Sequence, residues 1–173
     1  MTQAIHLSYY NVGGEFLMYD REKAVQYAHR WAFSRNPKYY DFSFLGGDCT
    51  NFASQVLFAG YGEMNYKKTL GWYYNSLNDR SPSWTGVNEL YNFLINNRGN
   101  GPKAVEVSID QLQNGDLIQL DFDGDFVFDH TPVIVDTGEY TPDTLLVAAH
   151  SQDSDYRPLS TYDYENIRYL HII

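Results

Sequence analysis

Cys49, the only cysteine in the 173-residue chain, lies in the stretch GGDCTNFASQ. It follows Gly46, Gly47 and Asp48 and begins a segment with the apolar spacing of a helix. Unpaired N–H groups and the dipole at a helix N-terminus favour a thiolate, and the same N–H groups can hold an oxyanion. The glycines leave room for a substrate carbonyl. The stretch predicts a nucleophilic cysteine, although a lone cysteine is more often a small buried core residue.

A nucleophilic cysteine needs a base, and histidine commonly serves. Among the five histidines, His130 and His150 each lie in a strand-like segment, whereas His6 lies in the irregular arm, His29 in the first predicted helix and His171 nearly at the C-terminus. The segment HTPVIVDTGEYTPDTLLVAAH has the pattern strand, turn, strand, and Tyr140 lies at its midpoint. In a regular antiparallel hairpin with this centre, the two imidazoles face each other on one side of the sheet. We therefore predict that one of these two histidines is the base and that the other orients it.

A bulge in this hairpin would shift the pairing and leave another residue to orient His130. Asp153 is then the main alternative, and Asp129 and Asp136 are weaker ones.

The elements that position these residues are helices first and strands afterwards. Apolar spacing predicts a helix after the N-cap Asp20, a second from about Cys49, and a third over about 85–97. Strand-like segments follow: KAVEVS, DLIQLDF, FVFDHTPVIVD, TLLVAAH and IRYLHII. This order predicts an α+β fold with an antiparallel sheet packed against N-terminal helices. Residues 1–19 are predicted to form an arm, and residues 20–173 a single domain.

Composition limits the possible partners. The net charge of −10 argues against general binding to nucleic acid or to anionic membranes. No apolar run approaches the roughly 20 residues of a membrane span, and MTQAIHLSYY lacks the features of a signal peptide. A single cysteine excludes an internal disulfide and a multi-cysteine zinc site. We expect no cofactor, no metal, no nucleic acid and no membrane insertion, and the sequence leaves the oligomeric state open.

Two further segments could contribute to a site. The aromatic loop GWYYNSLNDRSPSW offers Trp72, Tyr73 and Trp84, which with Tyr40 could line a substrate groove, although for at least half of them covering the core is the simpler interpretation. The segment DFDGDFVFD is rich in carboxylates, but its spacing does not complete a calcium-binding EF-hand, and we interpret it as a solvated turn.

Six segments in order resemble the putative amidase domain family of Gram-positive bacteria: GGDCTNFASQ, GWYYNS, SWTGVNELYNFL, LQNGDLIQL, DHTPVIV and VAAHSQDSDYRPLS. That family is similar to the papain-like cell-wall cysteine hydrolases, including the CHAP and NlpC types. The resemblance runs from about Met18 to His171. It implies a papain-like fold with Cys49 as nucleophile at a helix N-terminus and His130 as base. It also implies a polar third residue where His150 stands, with Asp153 still open.

The resemblance has one departure, because CTNFASQ replaces the Cys-Ser-Gly that is usual in the NlpC type. The oxyanion donors are therefore not carried over. We expect the backbone N–H of Cys49 to donate, assisted by Asp48 or by Tyr39 or Tyr40.

The function implied by the resemblance is hydrolysis of a peptidoglycan amide through a thioester. The bond cut would be the muramoyl–alanine bond or one within the stem peptide. The resemblance also implies a secreted or envelope-associated protein. Two alternatives stay open: a non-catalytic module on the same fold that binds the cell wall or a partner, and an acyl transferase that uses the same triad.

Overall fold

The computed structural model describes residues 18–173, so the predicted arm lies outside the described residues except for Met18 and Tyr19. Helices dominate the first half of the described chain. They are α1 (Arg21–Trp31), α2 (Cys49–Tyr61), α3 (Pro82–Thr85) and α4 (Val87–Asn96).

Strands dominate the second half. Their bounds are β1 (Tyr74–Ser76), β2 (Asp79–Arg80), β3 (Ala104–Glu106), β4 (Leu117–Asp121), β5 (Val133–Asp136), β6 (Leu146–Ala149), β7 (Ser154–Pro158) and β8 (Asn166–Ile172).

Six of the strands form an antiparallel sheet in the order β3-β8-β4-β5-β6-β7. A small hairpin of two strands, β1 and β2, lies between α2 and α3. The predicted α+β class, with an antiparallel sheet packed against helices, is confirmed.

Local sequence signals account for the ends of the first two helices. The side chain of Asp20 accepts a hydrogen bond from the backbone N–H of Lys23 at 3.0 Å, as expected of an N-cap. Helix α2 begins at Cys49 and ends where Gly62 adopts a left-handed φ of 82°, and the N–H of Gly62 bonds the carbonyl of Phe58 at 2.8 Å. The predicted start of each helix is confirmed.

The sheet is covered on both faces, so its central strand β4 is buried throughout. On the first face, Leu117, Val133 and Ala148 pack with α1, α2 and α4 in one hydrophobic cluster. On the second face, the cluster contains Ile118, Leu120, Ile134, Val147 and Leu159. We call these the helix face and the second face. Alternate residues of one strand therefore lie in different environments.

Helices long and apolar enough to cross a bilayer are absent from the described residues.

Candidate functional site

Cys49 is the first residue of α2, and its sulfur faces the segment that leads into β5. The Sγ atom lies 3.7 Å from the Oγ1 of Thr50 and 4.0 Å from the backbone carbonyl oxygen of Asp129. The hydroxyl of Thr50 in turn lies 3.2 Å from that of Thr131. The residues on both sides of His130 in the sequence thus contact the start of α2.

The Cys49 thiol is nearly covered, with 7% of the residue exposed. Burial raises its pKa, and the nearby charge of Asp48 adds to this, although hydrogen bonds from the backbone of Thr131 and from Thr50 act in the opposite direction. Burial thus opposes the effect of the helix N-terminus on the thiol, and it is the largest of the effects on its pKa. The expectation that position favours the thiolate stays a prediction.

The two glycines before Cys49 both adopt positive φ angles, 90° for Gly46 and 106° for Gly47. A side chain is strained at such angles, so glycine is required to turn the chain into α2. The next N–H, that of Asp48, donates to the Oγ of Ser151 at 3.0 Å. The hydrogen bond from Asp48 to Ser151 thus joins the start of α2, which the two glycines lead into, to the turn after β6.

Asp48 is buried, and its carboxylate contacts several polar groups instead of serving as an oxyanion donor. Its Oδ1 accepts from the backbone N–H of Phe42 at 2.9 Å and from the Nδ2 of Asn51 at 2.8 Å. Its Oδ2 lies 2.6 Å from the Nδ1 of His150 and 3.2 Å from the Nε of Arg35. Because a carboxylate only accepts and its backbone N–H is already bonded, the prediction that Asp48 assists the oxyanion is not supported by this geometry.

His150 lies on the helix face of the sheet. Its second ring nitrogen, Nε2, is 2.8 Å from the carbonyl oxygen of Trp31, and the ring stacks on Phe52 with the centroids 4.1 Å apart. Both ring nitrogens therefore face acceptors, the carboxylate of Asp48 and the carbonyl of Trp31. This arrangement ties the end of α1 to the start of α2.

His130 lies on the second face and forms an antiparallel bridge with Leu120 of β4. Its ring is close to those of Tyr162 and Phe122, with centroids 5.5 and 6.0 Å away. Burial lowers its pKa to about 4, and the charge of Arg157 acts in the same direction. His130 is therefore neutral at neutral pH and able to accept a proton. Its ring nitrogens form no hydrogen bond within residues 18–173.

The predicted register of the histidine hairpin is wrong by one residue. A turn centred on Tyr140 would pair Val133 with Val147, whereas Val133 pairs with Ala148, and a bulge follows between Ile134 and Asp136. A shift of one residue moves a side chain to the other face of a sheet. The prediction that His150 faces His130 fails for this reason, and the geometry instead favours a role for His150 in holding Asp48.

The carboxylates predicted as alternatives to His150 for orienting the base also have other hydrogen-bond partners. The carboxylate of Asp153 accepts two hydrogen bonds from the guanidinium of Arg35, each at 2.9 Å. Asp129 and Asp136 accept from backbone N–H groups of their own turns. Within the described part of the chain, no carboxylate hydrogen-bonds the ring of His130.

The two tryptophans predicted for a substrate groove are core residues. Trp72 and Trp84 are fully buried, and their indole N–H groups donate to Ser54 at 3.0 Å and to Asn51 at 2.9 Å. The groove prediction is wrong for both, because the aromatic loop folds them under itself. The simpler interpretation, that they cover the core, is confirmed.

The tyrosines have different surroundings. Tyr40 is exposed and Tyr73 is half-buried, so their predicted place in a groove stays open. The ring of Tyr39 packs on Trp84 with the centroids 5.8 Å apart, and its pKa is raised to about 12 by burial and by Tyr74. This packing does not favour Tyr39 as an oxyanion donor.

The backbone N–H of Cys49 has no acceptor in the described structure, and Asp48 makes no side-chain cap. It therefore stays available to a ligand, as the sequence predicts.

The acidic segment before His130 forms a tight turn. Oxygens of Asp121, Asp123 and Asp129 lie within 4.8 Å of one another. The carboxylate of Asp121 accepts from the backbone N–H groups of Asp123, Gly124 and Phe126 and from the side chain of Asn166. The hydrogen bond from Asn166 is the largest of the effects that lower its pKa to about 2. These bonds organise the turn, and the expected absence of a metal stays a prediction.

Tyr162, Arg157 and Arg35 contribute to the site although no motif singles them out. Arg157 and Tyr162 come from β7 and the 3-10 turn after it, and Arg35 comes from the loop after α1. Tyr162 is distant in the sequence from His130, and Arg35 is distant from Asp153.

Comparison with known proteins gives one family. A family model described as "Putative amidase domain" matches residues 18–173. A protein of Bacillus subtilis (strain 168), named "Uncharacterized protein YhbB", is 39% identical over 155 residues, which is 87% of this chain and 47% of that protein. The chain thus spans about half the length of this relative. No solved structure matches.

Proposed function

Because the chain belongs to the putative amidase domain family, we propose that it is a cysteine-dependent amide hydrolase with Cys49 as nucleophile and His130 as base. One observation carries the cysteine mechanism. The start of α2 places the Cys49 sulfur against the backbone on either side of His130, a buried and neutral imidazole.

The charges of the two groups define the chemistry. Burial raises the pKa of the thiol and lowers that of the imidazole, so the resting pair is neutral rather than a thiolate and an imidazolium. The thiol proton moves to His130 as sulfur attacks the carbonyl carbon. The free N–H of Cys49 hydrogen-bonds the oxygen that becomes negative.

The second half of the reaction uses the same proton. Protonated His130 gives it to the leaving amine as the C–N bond breaks, which leaves a thioester on Cys49. A low pKa makes imidazolium a strong acid for this step. His130 then takes a proton from water, whose oxygen attacks the thioester carbon. Breakdown of that intermediate releases the carboxylic acid and returns the proton to sulfur.

The fold that we propose is papain-like. Its support is a cysteine at a helix N-terminus, packed against an antiparallel sheet that carries the histidine. We propose peptidoglycan as substrate, at the muramoyl–alanine bond or in the stem peptide, and secretion or attachment to the cell envelope as the location. The support for both is the order of the six sequence segments.

The decisive experiment is digestion of defined peptidoglycan fragments with product identification by mass spectrometry. We expect the wild-type chain to cut one class of amide, and Cys49→Ala and His130→Gln to lose at least about 10²-fold in rate. His29→Gln is the matched control, since His29 binds Asp155 and Tyr156 instead. Full activity in Cys49→Ala would exclude the mechanism. Fragment binding without any cleavage would favour the non-catalytic module.

A further inference from the structure

Among residues 18–173, Tyr162 and Phe122 are the aromatic side chains whose rings lie close to that of His130, and Tyr162 is the nearer. Its ring centroid lies 5.5 Å from that of His130, and the two planes are tilted by 42°. It follows the 3-10 turn Leu159–Thr161 and packs against the second-face cluster. Tyr162 thus lies on the same face of the sheet as His130, whereas His150 lies on the other one.

The hydroxyl groups of Tyr162 and of its neighbour Ser154 are buried and have no hydrogen-bond partner within residues 18–173. The Ser154 hydroxyl is close enough to act on the pKa of Tyr162, but the pair does not have the geometry of a hydrogen bond. Since buried polar groups in proteins are normally paired, neighbouring groups that lack partners indicate a network that a change of side-chain rotamer can close.

The Tyr162 ring is held from one face by Arg157. The guanidinium carbon lies 3.7 Å from the ring centroid, and the guanidinium donates to Thr161 and to Gln152. Burial raises the pKa of the phenol, so it stays protonated and can both donate and accept.

We propose that Tyr162 is the positioning residue for His130. The Tyr162 oxygen accepts the N–H of the ring nitrogen that faces away from Cys49, and its own O–H donates to the Oγ of Ser154. This contact fixes the tautomer that leaves the other nitrogen free to take the thiol proton. The inference rests on the proposed function and gives Tyr162 the role that the sequence assigned to His150.

The proposal requires the His130 side chain to rotate toward Tyr162, which pairs groups that are otherwise unsatisfied within residues 18–173. The rotation needs no substrate, so the contact is expected in the free chain as well as in the complex.

The test uses Tyr162→Phe, which removes one oxygen and keeps the ring beneath Arg157. Tyr164→Phe is the control, because Tyr164 is half-buried and packs against the same cluster. We expect Tyr162→Phe to lower kcat about tenfold or more with KM nearly unchanged, and Tyr164→Phe to change neither. In nitrogen-15 spectra of the histidine ring, we expect His130 to hold one dominant tautomer in wild type and a mixture in Tyr162→Phe.

The ring spectra also separate this proposal from the proposed function, because they need no substrate. A single tautomer that is lost in Tyr162→Phe supports the positioning role even if no fragment is cleaved. The same tautomer population in wild type and Tyr162→Phe overturns the role, even if the chain is an active amidase. If Tyr162→Phe does not fold, Ser154→Ala decides by the same spectra, since it removes the acceptor of the Tyr162 hydroxyl.

Discussion

His130 and His150 lie on opposite faces of one antiparallel sheet. His150 stacks on Phe52 in the helix layer, whereas His130 lies beside Tyr162 on the second face. The pairing of Val133 with Ala148 sets this arrangement. The structural role that the contacts of His150 indicate and the chemical role proposed for His130 are therefore separable, and each has its own measurable consequence.

His150→Gln should destabilise the fold without changing the titration of the base. It removes a ring that bridges buried Asp48 and the Trp31 carbonyl, and breaking such a buried pair costs about 3 kcal/mol. Urea unfolding measures the loss, and His29→Gln is the control. The pH at which kcat/KM falls on the acid side should be that of wild type. A shift of that pH in His150→Gln would instead support His150 as the residue that orients the His130 ring.

The acid limb of the pH profile of kcat/KM, where activity falls as pH decreases, should lie near pH 4. The ordinary pKa of histidine, about 6.5, would place it at higher pH. His130 works as a base only when deprotonated, and burial with the charge of Arg157 lowers its pKa to about 4. Activity should thus rise as pH increases through 4 and be nearly level from about pH 5 to 8. Arg157→Gln should move the limb to higher pH. A wild-type limb at pH 6–7 would show that His130 is not held in this buried state.

Iodoacetamide should modify Cys49 slowly at neutral pH in the folded chain. Only the thiolate reacts, and burial raises the pKa of this thiol above the free value of about 8.5. The urea-unfolded chain should react as an ordinary cysteine, and mass spectrometry measures both rates. Fast modification of the folded chain at pH 6 would instead show a preformed thiolate. Slow modification is therefore compatible with catalysis here.

Gly47→Ala should impair both stability and activity. A side chain at a φ of 106° is strained by about 1–3 kcal/mol, and relief of that strain displaces the start of α2. Gly62→Ala is the matched control, because Gly62 has a φ of 82° and lies at the far end of the same helix. We expect similar losses in unfolding free energy from both changes and a loss of kcat only from Gly47→Ala. If Gly47→Ala and Gly62→Ala have equal kcat values, the glycine turn before α2 is not needed for catalysis.

Local sequence patterns were sufficient for much of the fold. The Asp20 cap, the start of α2 and the main strands follow from capping and periodicity, which act over a few residues. Strand β7 was missed because SDYRP is polar and ends in proline, as edge strands can be. The register of the hairpin depended on a bulge between Ile134 and Asp136, and such a bulge has no clear signature in one sequence.

The candidate site was predictable only in part, for a related reason. Cys49 and His130 have residue types and local contexts that point to chemistry. The contacts of Asp48 with Arg35 and His150, and of Tyr162 with His130, join segments that are distant in sequence. Trp72 and Trp84 were assigned to a groove by residue type, but burial in the core decides their role.

The covered sulfur at the start of α2 also affects how long the molecule survives. Peroxides oxidise the thiolate rather than the thiol, and only where they can reach it. Cys49 meets neither condition well, because burial disfavours its thiolate and only 7% of the residue is exposed to peroxide. The chain contains no second cysteine with which a sulfenic acid could form an internal disulfide. Shielding in the resting state thus protects the proposed nucleophile from oxidation, and residues 1–173 offer no second thiol that could reverse it.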